Sequence, residues 1–153
     1  VRQIDGDLVA MARRGDLDVI VHGCNCFHAM GAGIAAQIAR AFPQAVVADR
    51  ATAFGARSKL GKISTATHGP CTIVNAYTQF HWSGTPPLVD LVALKDAFDR
   101  IAQQFPNQRI GYPKIGAGLA GGHWPDIAPI IDTSLAGLDH CLVTLPPALK
   151  DHA

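Results

Sequence analysis

With 153 residues, 48% of them hydrophobic and 16% charged, the chain reads as one folded domain rather than a disordered segment. A formal net charge of +1 removes bulk electrostatics as a reason to expect nucleic-acid binding, and no apolar run is long enough to span a bilayer. The four cysteines, Cys24, Cys26, Cys71 and Cys141, form no CxxC pair and no signal peptide pattern stands at the start, so a reduced, cytoplasmic setting is expected.

In chain order, Val1 to Ile4 reads as a first strand. Gly6-Asp7-Leu8 leads into a turn or short helix through Arg14, broken by Gly15-Asp16. Leu17 to His22 reads as the central strand, because Val19-Ile20-Val21 is an unbroken apolar run of the kind covered on both faces. A glycine-interrupted loop follows. Then comes a helix over 31–41, with Ile34, Ile38 and Phe42 at helical spacing, stopping before Pro43. Residues 44–54 are weakly helical, and Arg50, Arg57, Lys59 and Lys62 make the next connection basic. Gly61 to Thr67 and Cys71 to Tyr77, rich in Val, Ile and Thr, read as neighbouring strands around His68-Gly69-Pro70. Phe80 to Pro87 is a loop. Leu88, Leu91, Leu94, Phe98, Ile101 and Phe105 give the strongest helical periodicity in the chain. Arg109 to Pro113 is a strand, Lys114 to Gly122 a glycine-rich loop, Trp124 to Leu135 a helix and Asp139 to Leu145 the last strand. The domain runs over 1–147, with 148–153 as a loose tail. Strands alternating with helices place the fold in the α/β class, with helices on both faces of the sheet.

Both glycine-rich loops follow strands, which in an open α/β sheet puts them at one edge, where ligands bind. Gly31 and Gly33 precede a helix, whose N-terminus carries a partial positive charge and exposed N–H groups. With Gly116, Gly118, Gly121 and Gly122 opposite, two loops could clamp a diphosphate by backbone amides alone. The second loop also reads as a plain turn. Gly31 to Ala36 matches GxGxxA with Asp49 downstream. A Rossmann turn meets its first glycine almost directly after the strand, whereas residues 22–30 intervene here, so a nicotinamide cofactor is not expected. Cys24, Cys26 and His28 fit no common zinc spacing, so no metal is expected. His22 reads either as a core histidine or as a titratable group at the strand end. Asp7 reads as a helix cap, and Lys59 and Lys62 as solvated cations.

On these residues the chain resembles a macrodomain, the ADP-ribose-binding α/β/α module, over nearly its whole length. Three motifs carry the resemblance: Gly6-Asp7-Leu8, the HGCNC…MGAGIA segment from His22 to Ala35, and PKIGAGLAG from Pro113 to Gly121 followed by Trp124. The resemblance implies a three-layer α/β/α sandwich around a central mixed sheet. It is most similar to the branch containing yeast ADP-ribose-1″-phosphate phosphatase, and similar to glycohydrolases that remove terminal ADP-ribose from protein or DNA. It implies hydrolysis at C1″ of the distal ribose without a cofactor, the alternative being a non-catalytic reader of ADP-ribose. A monomer is expected, with DNA among the carriers.

Residue by residue, the resemblance implies His22 and Asn25 as the catalytic pair, with Asn25 on the distal ribose. Asp7 would accept from the adenine amino group, with Leu8 beside it. Gly31, Ala32, Gly33 and Ile34 would bind the diphosphate from one side, and Ala117, Gly118, Leu119, Ala120 and Gly121 from the other. Lys59 is a further candidate, as a loose match to a lysine of the terminal-ADP-ribose glycohydrolases. The chain departs from those enzymes at Ala120, where they carry an aspartate. No aromatic follows the final strand to stack on adenine.

Overall fold

A computed structural model describes residues 1–146, so the tail expected at 148–153 lies outside the described residues. Among the described residues six strands form one sheet: β1 Gln3–Asp5, β2 Val19–Cys24, β3 Ile63–His68, β4 Cys71–Tyr77, β5 Ile110–Tyr112 and β6 His140–Thr144, in the order β1-β6-β5-β2-β4-β3. All neighbours are parallel except β3, which runs antiparallel to β4 at the edge, so the sheet is mixed. Among the described residues the α-helices are α1 Leu8–Arg14, α2 Gly33–Ala41, α3 Pro43–Arg50, α4 Leu91–Gln104 and α5 Trp124–Ser134. They cover both faces, giving the expected three layers.

β2 is central because its side chains suit burial on both sides. Val19 and Val21 pack among Leu94, Phe98, Ile127 and Ile131 of α4 and α5. Ile20 packs into the opposite layer with Leu8, Ile38 and Phe42. Local chemistry sets the helix ends. Asp7 caps α1 by accepting from the Ala10 N–H at 3.0 Å, and Asp90 caps α4 by accepting from Ala93 at 2.9 Å. Pro43 stands in the first turn of α3, where its missing N–H is not needed.

Three boundaries differ from the sequence expectation in ways that shape the cleft. β2 continues past His22 to Cys24, because His22, Gly23 and Cys24 pair with Asn75, Ala76 and Tyr77 of β4. α2 starts at Gly33 rather than residue 31, since Ala32 is extended (φ −141°, ψ 155°). α4 starts at Leu91 rather than Leu88. Leu88 instead donates its N–H to the Ala120 carbonyl at 2.7 Å, and Val89 bridges to Gln79. Tertiary pairing thus overrides a helical pattern that continues through Leu88.

A candidate ligand cleft at the carboxyl edge of the sheet

The parallel strands end on one side, so the loops after β2, β4 and β5 meet there. Between them lies a cleft of about 690 Å³. Gly31 to Ala35 form one wall, Gly116 and Gly118 to Ala120 the opposite wall, and Gln79 and Trp82 a third side. Gly23 and Ile115 lie at the floor. A Cβ at Gly23 would stand 2.8 Å from Thr78 Oγ1 and 3.1 Å from Ile115 Cγ2, so the close approach admits only glycine. Gly33 has φ +59°, a region L residues avoid, and a Cβ there would lie 3.3 Å from Leu119 Cδ1. The two glycine loops therefore face each other across the opening.

Their amides are the chemistry of the site. Ala32 gives α2 no side-chain cap. Among the described residues, the N–H groups of Gly31 through Ala35 and of Gly118 through Ala120 donate to no backbone acceptor. Both rows border the cleft, and one adds the positive end of a helix dipole. The lining carries no aspartate, glutamate or histidine, and Lys114 is its one ionisable side chain among the described residues. Such rows of free backbone amides are the chemistry that suits an anion.

Asn25 borders the cleft and is nearly buried, at 7% exposure. Its Oδ1 accepts from Phe27 at 2.9 Å and Ala29 at 3.3 Å, while Nδ2 donates to the Ala29 carbonyl at 2.8 Å. The side chain thereby folds its own loop and retains a second N–H.

The Macro domain family profile matches residues 21–131. This chain belongs to the macrodomain family. Over 97% of its length it is 36% identical to an uncharacterized 17.5 kDa protein from the tk-vs intergenic region of phage T4, covering 99% of that protein. It is 27% identical over 94% of its length to the DNA ADP-ribosyl glycohydrolase of Mycobacterium tuberculosis, of which it spans 41%. The solved Thermosipho africanus DarTG in complex with ADP-ribose matches with a TM-score of 0.74 at 16% identity, over 94% of this chain and 40% of that one.

The macrodomain's cleft gathers Asn25, Gly31, Ala32, Gly33, Ile34, Gly118, Leu119 and Ala120 from the sequence expectation and leaves the other candidates outside. His22, expected as a catalytic residue, lies outside the cleft lining. Side chains alternate along β2, so Gly23 turns to the cleft and His22 to the opposite layer. There His22 is fully buried, with Nε2 2.6 Å from Asn75 Oδ1. Asn75 Nδ2 donates to the Ala45 carbonyl and to Ser64 Oγ, so Asn75 Oδ1 is the acceptor and His22 Nε2 carries the proton. Burial lowers the His22 pKa and keeps the ring neutral.

Lys59, the further candidate, is also enclosed. Its Nζ donates to the Cys26 carbonyl at 3.3 Å and lies 4.7 Å from the Tyr77 ring centroid. Asp7 is exposed beyond the cleft lining, with Oδ1 capping α1 at the end of β1, and Leu8 is buried in the core. Ala117 and Gly121 spend their amides inside the loop, on the Lys114 and Gly118 carbonyls. Burial pushes the Cys24 and Cys26 thiols up, so neither supplies a thiolate.

Sequence reasoning missed Gln79, Trp82 and Lys114. The available signal was topological. The loop after β4 must open on the same edge as the loop after its parallel neighbour β2. Lys114 stands directly before the second glycine loop.

Proposed function

We propose that this macrodomain binds ADP-ribose in the cleft and hydrolyses the bond joining C1″ of the distal ribose to a DNA base. The observation that carries this reading is the pair of unpaired amide rows facing each other across the opening. Their spacing along two loops suits a diphosphate, and the lack of carboxylates in the lining avoids repelling it. The DNA carrier rests on the mycobacterial relative's name, and ADP-ribose on the ligand of the Thermosipho structure.

In this reading, Asn25 directs its second Nδ2 hydrogen to the distal ribose. Gln79 donates Nε2 to the His81 carbonyl at 3.0 Å, leaving Oε1 to orient a water. The water oxygen bonds to C1″ as the C1″–N bond breaks. The electron pair leaves with the base, which takes up the proton the water releases. Positioning supplies much of the rate, since holding reactants aligned is worth several powers of ten. His22 takes no part.

A second reading, binding without turnover, is favoured by the absence of a carboxylate or histidine among the described lining residues. One experiment separates the two. Calorimetry with ADP-ribose, with AMP and NAD as controls, establishes the ligand. Incubation with an ADP-ribosylated single-stranded oligonucleotide, ADP-ribose 1″-phosphate and an ADP-ribosylated peptide then follows product by mass spectrometry. Release of free ADP-ribose from the oligonucleotide, lost in Asn25→Ala together with ADP-ribose affinity, is expected. Tight binding with no product from any substrate selects the reader, and no ADP-ribose binding overturns both.

A further inference from the structure

An array of aromatic rings continues from the cleft mouth across the surface, and the proposed reaction leaves it unused. Phe27 is the hub, with its ring centroid 5.4 Å from Phe54, 5.0 Å from Phe80 and 4.8 Å from His81. His81 lies 5.0 Å from Trp82 with the rings only 32° apart. Trp82 both lines the cleft and is 59% exposed, and Phe54 is 68% exposed. Single exposed aromatics are ordinary, but rings in series beside a cleft mark a contact surface. The Arg57 guanidinium stacks 3.9 Å from the Phe80 centroid and stays exposed.

The charge of the chain segment that carries this array differs from that of the whole chain. Residues 19–89 hold five lysines and arginines but one acid, Asp49. Asp49 is buried, where it accepts from the Tyr77 hydroxyl at 2.7 Å. Asp90, the next acid along the chain, caps α4. The near-neutral total thus conceals a cationic stretch, its one acid buried, that carries the aromatic rim and the Gly31–Ala35 amide row.

We propose that Trp82, His81, Phe54 and Arg57 form a stacking platform for the unpaired nucleotides flanking the modified base of a single-stranded DNA carrier. This rests on the DNA reading of the cleft. A base joined to C1″ in the cleft must leave its duplex stack, so its neighbours arrive unstacked. Flat rings bind any base face, and the exposed Arg57 guanidinium meets a phosphate between them.

The test uses unmodified oligothymidine, which asks about the platform without asking about ADP-ribose. In a Trp124→Phe background, Trp82 is the remaining tryptophan, and oligothymidine should quench its fluorescence at low salt. Phe54→Ala should weaken oligothymidine about tenfold, as loss of one stacked base does. Because Phe54 stands outside the cleft lining, ADP-ribose affinity should stay within about twofold, which also shows that the variant is folded. Absent quenching, an affinity unchanged in both Phe54→Ala and Arg57→Ala, or equal binding of duplex overturns the platform. Turnover of an ADP-ribosylated peptide that excess oligothymidine does not compete also overturns it. Oligothymidine binding without ADP-ribose binding would sink the cleft reading and leave the platform standing.

Discussion

At the scale of the residue, His22 shows how a polar group is excluded from chemistry. Burial lowers its pKa, so the unfolded chain binds a proton more readily than the native one below about pH 6.5. Stability contributed by the neutral ring is present above that pH and is lost as pH falls toward the lower native pKa. His140 adds to the same trend, because burial also lowers its pKa. Urea unfolding across pH 5–7 should therefore show stability falling on acidification, and His22→Gln should flatten the slope. His22→Ala leaves Asn75 Oδ1 without its donor, a cost of about 1–3 kcal/mol. ADP-ribose affinity should be unchanged, and its loss would return His22 to the site. Sequence parity fixed His22 and Ile20 on one face of β2. Nothing in the sequence said which face opens into the cleft, and that is decided by Gly23 meeting Thr78 and Ile115.

At the scale of the element, the entry to α2 is the critical joint. Gly33→Ala places a Cβ at positive φ and against Leu119, with an expected cost of about 1–2 kcal/mol. The variant should fold but bind ADP-ribose at least about tenfold more weakly, because the first helical turn presents the amides. Unchanged affinity by calorimetry would show that α2 does not receive the diphosphate. Elements with strong signals were legible: α4 stood out on its helical periodicity and β4 on its Val, Ile and Thr content. The ends of elements were harder. The apolar pattern of α4 extends back to Leu88, yet that residue is drawn away by the Ala120 carbonyl. The contact is long-range, and no local propensity encodes it.

At the scale of the whole molecule, the cleft is assembled from three loops held by one sheet. A ligand that binds only this assembly stabilises it by mass action. At ADP-ribose about 100 times its Kd, the gain is about 2.7 kcal/mol, enough to raise Tm by roughly 5–10 °C. AMP, which lacks the diphosphate and distal ribose, should shift it far less. Equal shifts would place recognition on the adenosine end rather than on the amide rows.

The layers followed from the alternation of elements, and the common edge of the two glycine loops from their places after strands, but the strand order β1-β6-β5-β2-β4-β3 did not, because it depends on long-range pairing. The aromatic rim did not, because Phe27, Phe54 and Trp82 meet only after the chain has closed.

β2 keeps two unlike faces within three residues: a sealed ring at His22 and Cys24, and bare backbone at Gly23. Laboratory selection for heat resistance could therefore rebuild the His22–Asn75–Ser64 side and leave ligand choice intact. Selection for a new ligand would draw on the other side, with Gly23 as the one position both campaigns must leave alone.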